Sequence, residues 1–456
     1  MRNRLSLLAL AALLLASARS AAAQDTERYR AAADRLISAA TKDSSAWNRV
    51  AELTDAFGSR LSGSDALERA IDWTLARMRS DGLENVRGEP VMVPHWVRGA
   101  ESAELVTPRR KPLAMLGLGG SVGTPAAGIT APVIVVSSFD ELARRAADAR
   151  GKIVLFDVPF TEYRQTVAYR SGGASAAARV GAVAMLLRSV ASFSMNTPHT
   201  GSLRYDTTVA RIPAAAITVE DAMLLHRLQD RGQPISVSLH MGATMLPDAP
   251  SRNIVAELRG RELPDEVVVI GGHIDSWDVG QGAMDDAGGV VAAWEALRIM
   301  KELGLRPRRT VRVVGWTNEE NGTRGGNAYR ATHAADVERH VFAMESDNGA
   351  FKPYGIAAVG TDSALAMLRR IAPLLARIGA DKVIRGGGEA DIGPLLAAGV
   401  PGAGLEVEGA RYFWYHHTNA DTPDKLDPRE VAQCAAVMAV YAYVLAEMPE
   451  RLPRGR

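Results

Sequence analysis

The chain has 456 residues, 47% of them hydrophobic and 23% charged, with a net charge of +1. That length exceeds one small core and suggests two or three domains. The near-neutral balance, with no long basic run, gives no footing for nucleic acid or an anionic membrane surface as partner.

Residues 1–23 read as a secretory signal peptide. Arg2 and Arg4 precede an apolar run over 5–16, and Ala21, Ala22 and Ala23 form a small-residue cleavage site before Gln24. The run is short for a bilayer span and no other stretch reads as one, so the sequence predicts an exported chain, periplasmic or secreted. Cys434 is the single cysteine, which leaves no intramolecular disulfide. It falls in an apolar helix predicted over 429–445 and reads as a buried core residue.

Residues 25–82 read as helices, with a turn at 62–65 and then a helix whose Ala66, Ile71, Leu75 and Met78 share a face. Strands are predicted at 86–97 and 103–106. From about 108 to 250 short strands alternate with Gly and Pro. Strands at 152–157, 181–187 and 212–217 accompany helices at 172–180 and 219–228. This stretch reads as a compact β-rich module inserted between 24–107 and 251–456. Its His199, His226 and His240 lack carboxylates at ligand-like spacing and read as surface or hydrogen-bonded core histidines.

From Ser251 onward the pattern becomes strand–helix–strand. Strands are predicted at 267–270, 310–314, 341–344, 355–359 and 404–407, and helices at 288–303, 363–378 and 429–445. That alternation predicts an α/β domain with a mostly parallel central sheet flanked by helices. In such sheets the functional residues gather at the carboxyl ends of the strands.

Four segments there carry ligand-type side chains: His273 and Asp275 with Asp285 and Asp286; Glu319 and Glu320; Glu345 and Asp347; His416 and His417. Taken singly, each has a plain structural reading. A lone H-x-D is a surface turn, a Glu–Glu pair is solvated, Asp286 before Ala-Gly-Gly caps a helix, and a His pair sits satisfied in a core. Four of them at strand ends of one domain point instead to a two-metal hydrolase. One carboxylate must bridge two cations, each needing about two further ligands plus water. Asp285 fits the bridge, His273 and Asp347 one cation, Glu320 and His417 the other. Imidazole with carboxylates suits zinc best, with manganese or cobalt as substitutes. A hydroxide shared by the two cations is the expected nucleophile, and Glu319 the general base. Asp275 is expected to accept the second ring N–H of His273, and His416 to donate to the tetrahedral oxyanion.

The string His273…Asp285…Glu319-Glu320…Asp347…His417 resembles the M28 family of di-zinc aminopeptidase-like metallopeptidases. The likeness continues through SWDVGQGAMDDAGG, LLRSVASFSMNTPHTG, IPAAAITVEDA and YFWYHHTNADT, and covers nearly the whole chain after the signal peptide. It implies the same ligand roles, two zinc ions per chain, a cis peptide between Asp285 and Asp286, and a protease-associated (PA) module at about 108–250. The family pattern His-Thr-x-x-Asp-Thr selects His417 over His416 as the ligand. The resemblance further implies dipeptide substrates with a free amino terminus, and a homodimer. M20-type amidohydrolases share the ligand order but insert a dimerisation domain after the Glu–Glu pair, and the interval from Glu320 to Asp347 is too short for one. A binding protein on an inactive scaffold predicts lost ligands, and none of the six positions is lost. For the substrate's termini the sequence offers Glu389 or Asp391 to an ammonium, with a helix N-cap as the plainer role for Asp391. Arg324 and Arg385 are offered to a carboxylate, with solvated surface positions as the plainer reading.

Overall fold

The computed structural model describes residues 27–388 and 390–455. The signal-peptide reading of 1–23 and the reading of Glu389 lie outside them. Two eight-stranded sheets organise the chain. The larger runs, edge to edge, through Glu84–Val97, Thr244–Leu258, Arg309–Trp316, Leu263–His273, His340–Glu345, Gly402–Val407, Pro353–Val359 and Lys382–Arg385. Its middle four strands, from Arg309–Trp316 to Gly402–Val407, are mutually parallel. Antiparallel pairings bring in the flanks on both sides. The expected parallel sheet is therefore the centre of a mixed one. Continuous apolar runs explain the centre: Val267, Val268, Val269 and Ile270 are all buried, as strands covered on both faces require.

One face is covered by helices Gly288–Glu302 and Pro428–Glu447 with Arg30–Ala40 and Ser45–Phe57 against them. Helix Pro428–Glu447 is long and apolar enough to cross a membrane, which the sequence reading missed, but most of it is buried inside the protein. Cys434 lies in it, buried, with Sγ 3.2 Å from the carbonyl of Phe351. The helix expected over 363–378 is two pieces, Asp362–Ile371 and a 3₁₀ turn Ala372–Ile378. Pro373 lacks the N–H that would continue the α-helix.

The smaller sheet runs from Glu101–Thr107 to Ser236–Met241 in chain order. It begins before the expected 108, and its upper limit falls short of 250 because Thr244–Leu258 is a single strand of the larger sheet. Pro247 and Pro250 do not end that strand. Only 254–258 is paired on both sides, so the prolines sit where one side is free. Helix Tyr163–Arg179 begins before the predicted 172–180. Gly172 and Gly173 lie inside it, and a Cβ on Gly173 would press on Phe156 and Met185 at 3.2 Å. Close packing, not a break, is the use of that glycine. Arg98 ties the two sheets together by a bidentate pair with Asp278 at 2.6 and 2.8 Å. Leu61, Trp96, Leu116, Ala243, Trp277 and Val279 form a small apolar cluster beside that pair.

Of the three histidines in the smaller module, His226 meets a carboxylate, Asp157 Oδ2, at 2.6 Å. In the larger domain His340 is held neutral. Burial and the nearby Arg312 push its pKa down to about 4 from 6.5. Its Nδ1–H faces the Asp336 carbonyl at 3.2 Å and its Nε2 accepts from the Tyr329 hydroxyl at 2.9 Å. Because the folded pKa lies below the unfolded one, this contribution to stability is complete above pH 6.5 and is lost as pH falls toward 4. His340→Gln is expected to flatten the fall in stability across that window by up to about 1.4 kcal/mol per pH unit. Denaturant melts of chelated wild type and variant at several pH values measure the difference; superimposable slopes would contradict it.

Candidate active site

Each of the four parallel central strands delivers one functional segment at its carboxyl end, as open α/β sheets do. Strand Leu263–His273 ends on the first ligand-type residue itself. Gly272 permits this: a Cβ there would collide with the Asp286 carboxylate. That carboxylate accepts the backbone N–H groups of His273 at 2.9 Å and Gly289 at 3.0 Å, pinning strand end to helix start. Asp286 thus has the helix-capping role expected of it. The peptide joining Asp285 and Asp286 is cis.

His273 Nδ1–H points to the main-chain carbonyl of Asp275 at 2.9 Å, which leaves the lone pair of Nε2 inward. Nε2 lies 3.2 Å from Asp285 Oδ1 and 3.1 Å from Asp347 Oδ1. On the other side, Asp285 Oδ2 lies 3.3 Å from His417 Nε2, which is 3.1 Å from Glu320 Oε2. Asp285 therefore presents one oxygen to each of two separate groups.

The expectation for Asp275 needs correction. Its carboxylate is 3.7 Å from His273 Nδ1, and the carbonyl takes that N–H instead. The carboxylate oxygens accept the backbone N–H groups of Glu319 at 3.1 Å and Glu320 at 3.3 Å. Asp275 orients the Glu–Glu pair, and orients His273 only through its main chain. The adjoining Asn318 has a left-handed φ of 66° and His417 one of 60°. Strain of this kind in non-glycine residues persists only where surrounding contacts hold it, and such positions cluster at functional sites. For His417 the holding contacts come from the smaller sheet's module: Thr200 N–H donates to its carbonyl at 3.0 Å, and Thr200 O faces its Nδ1 at 3.3 Å.

His416 stacks on His417 with ring centroids 3.5 Å apart, and its Nε2 is 3.7 Å from Asp285 Oδ2. Both rings thus face the same carboxylate. His417 is nearer and alone of the two touches Glu320. Burial, followed by the His417 charge, holds His416 well below its ordinary pKa, so it is neutral.

The donor set fits divalent cations. The potential ligand atoms of His273, Asp285 and Asp347 lie within 4.8 Å of one another, as do those of Asp285, His416 and His417. Asp285 Oδ2 is buried without a hydrogen-bond partner. Burial, with Asp347 next in effect, pushes Glu319 well above the usual carboxylate range; burial and Asp285 do the same to Glu320. Burial also raises Asp347. So many buried acids around bare imidazole nitrogens need positive charge among them.

Two residues that escaped the sequence reading fix the bridge. Asp421 accepts the N–H groups of Ala283, Met284 and Asp285 at 3.0, 2.8 and 3.3 Å. Arg60, fully buried, donates to the carbonyls of Ile274, Gln281 and Gly282 at 2.8, 2.6 and 2.9 Å. Asp421 sits in the quoted YFWYHHTNADT string, whereas nothing near Arg60 in sequence marks it. Asp278, by its pairing with Arg98, lies outside the site. Arg324 pairs with Asp248 at 2.5 Å and Arg385 with Asp362, both on the surface. Asp391 does not cap the helix Gly393–Ala397 that follows it; its carboxylate is buried, which pushes it well above its usual range.

A cleft of about 530 Å³ opens over these residues. Asp285, Glu319, Glu320, Asp347, His416 and His417 form its floor, and Tyr163, Arg170 and Leu203 of the smaller module form a wall.

Residues 253–442 match the model for peptidase family M28. Carboxypeptidase Q of Mus musculus is 50% identical over 409 residues, covering 90% of this chain and 87% of that protein. The crystal structure of a peptidase M28 precursor from Shewanella amazonensis superposes with a TM-score of 0.91 at 36% identity, covering 94% of this chain and all of that one. A zinc aminopeptidase from Bacillus subtilis, at 20% identity and a TM-score of 0.67, shares the fold. These matches favour neither an M20-type amidohydrolase nor a non-catalytic binding protein. Half the residues shared over nine-tenths of the chain exceeds what a common fold alone explains, and the chain is a metallopeptidase that belongs to peptidase family M28.

Proposed function

We propose that the chain is a zinc exopeptidase that hydrolyses short peptides, dipeptides with a free amino terminus foremost. The observation that carries this reading is the split of Asp285, with Oδ1 toward His273 and Asp347 and Oδ2 toward His417 and Glu320. Two zinc ions held by these five residues would supply Lewis acidity and lower the pKa of a water between them. Glu319 lines the cleft beside Glu320. Its carboxylate takes the proton from the attacking water and gives it to the leaving amine nitrogen. Asp275 keeps Glu319 aimed through the backbone hydrogen bond, and a neutral His416 offers an N–H to the oxyanion.

The smaller sheet's module is read as the PA-like insertion, narrowing the cleft to short substrates. Export through residues 1–23 and a homodimer complete the proposal. Mass measurement by light scattering tests the dimer.

The function is tested with a dipeptide library beside amino-blocked dipeptides and longer peptides, using protein of measured metal content. Hydrolysis confined to peptides with a free amino terminus, abolished by chelation and restored by zinc, is the expected result. Turnover of amino-blocked substrates at equal rates would overturn it.

A further inference from the structure

The two imidazoles that face Asp285 are supported unequally. His273 is held by its own loop: the carbonyl of Asp275 accepts from Nδ1, and the Asp286 carboxylate accepts from the backbone N–H. His417 is held from the smaller module, 217 positions away. Its Nδ1–H faces the carbonyl of Thr200 at 3.3 Å, and Thr200 N–H donates to the His417 carbonyl at 3.0 Å. Arg170 Nη1 lies 3.4 Å from the same nitrogen and 3.5 Å from the same carbonyl; a His417 that binds a cation through Nε2 keeps its proton on Nδ1, so both groups donate to Thr200. The carbonyl of His416 is taken by the module as well, since His199 Nδ1 lies 2.7 Å from it. A carbonyl only accepts, so His199 carries its proton on Nδ1. Its Nε2 is buried with no partner, and burial holds its pKa down to about 3, so the ring is neutral. Its one N–H goes to the main chain of the ligand segment.

These contacts come from the end of the segment LLRSVASFSMNTPHTG, which is itself fixed. His199 N–H donates to Ser189 Oγ at 2.9 Å, and that hydroxyl donates to the Ile217 carbonyl at 2.8 Å. Thr200 Oγ1 donates to the Gly117 carbonyl at 2.7 Å, and Arg98 Nη2 lies 3.4 Å from the same hydroxyl. Arg98 is the partner of Asp278, in the loop that follows strand Leu263–His273. The left-handed φ of 60° at His417 adds to the demand on this support. A carbonyl left without its donor would let the chain relax out of the conformation that aims Nε2 at Asp285 and Glu320.

We infer that His199 and Thr200 are positioning residues for the cation held by Glu320 and His417, and that the affinity of this one site depends on the docking of the smaller module. The inference rests on the two-cation reading above. The module then does more than wall the cleft. It completes one metal site of the pair, whereas the site of His273 and Asp347 is complete within the larger domain.

Zinc affinity is measured on the full chain by chelator competition, in two backgrounds that each keep one site. Asp347→Asn keeps the His417 site and Glu320→Gln keeps the His273 site. His199→Leu removes the N–H and leaves the His416 carbonyl buried without that donor. In Asp347→Asn it is expected to weaken zinc binding by about 10- to 100-fold, the usual effect of losing a ligand's outer support. In Glu320→Gln it is expected to leave zinc binding unchanged. His199→Asn places an amide N–H near the position of Nδ1–H and should recover most of the loss. Thr200→Val, which frees the same segment from Gly117, should weaken the same site and carries the test if His199→Leu does not fold. Melts of the chelated proteins establish folding. Equal weakening in both backgrounds would overturn the inference and make His199 a support of the whole fold; unchanged binding in both would overturn it too. Wild type that takes up two equivalents of zinc alongside either result would leave the two-cation reading standing. Wild type that takes up only one would overturn that reading and the inference with it.

Discussion

Glu319→Gln is expected to lower kcat by about 10²- to 10⁴-fold while leaving bound metal and melting temperature in place. The substitution keeps the shape of the side chain and removes only its ability to accept and return a proton. The backbone of Glu319 is held by Asp275 whatever the side chain is, so the geometry of the neighbouring Glu320 should persist. The variant also removes one member of a crowd of buried acids whose ionisation burial already opposes, so the fold is not expected to suffer. Glu320→Gln is the control one residue away. Its Oε2 meets His417 at 3.1 Å, so the same chemical change there should reduce metal content. Turnover, metal by plasma mass spectrometry and a thermal melt on both variants decide the matter. Normal turnover in Glu319→Gln would end its assignment as the base, and metal loss in that variant would make it a ligand.

The chemistry of the floor was legible because it depends on local chain geometry. A β-branched run that is buried on both faces reads as a parallel strand, and the residues just beyond it must then stand at the sheet's carboxyl edge. His273, Glu319, Glu320 and Asp347 were placed that way, whereas His417 was chosen over His416 by the family pattern; the structure brings His273, Asp347, Glu320 and His417 together around Asp285. What the sequence hid depends on how loops fold back. The H-x-D spacing suggested that Asp275 orients the histidine with its carboxylate; the loop turns so that the carbonyl does so and the carboxylate serves the next segment. Arg60 stabilises the bridge loop from 222 residues away, through carbonyls that leave no mark in sequence. The wall of the cleft was hidden for the same reason, since Arg170 and His417 are 247 positions apart and meet only in the folded chain, where Arg98 and Asp278 are among the contacts that join the two sheets. The upper limit expected for the smaller module, about 250, falls inside a strand of the larger sheet whose open side tolerates Pro247 and Pro250.

Asp285→Asn should have the largest effect of any single change in the chain. A carboxylate can give an oxygen to each of two cations; an amide offers one oxygen and one N–H₂ donor, and the donor faces one of the two groups. We expect wild type to hold two equivalents of zinc and the variant to hold at most one, with kcat lowered more than about 10³-fold, or about 4 kcal/mol of barrier. A second readout separates loss of the bridge from general misfolding. Metal that binds only the folded chain raises the melting temperature of wild type, and chelation should reverse that gain by leaving the buried acids facing one another. In Asp285→Asn added zinc should give a smaller rise than in wild type. The loop itself should remain in place, since Asp421 holds it through the backbone N–H groups of residues 283 to 285 and not through the Asp285 side chain. A variant that binds two equivalents and turns over normally would remove Asp285 from the bridge. Wild type that saturates at one equivalent would remove the bridge itself, and would return His273 with Asp347 and His417 with Glu320 to competing as alternative single sites.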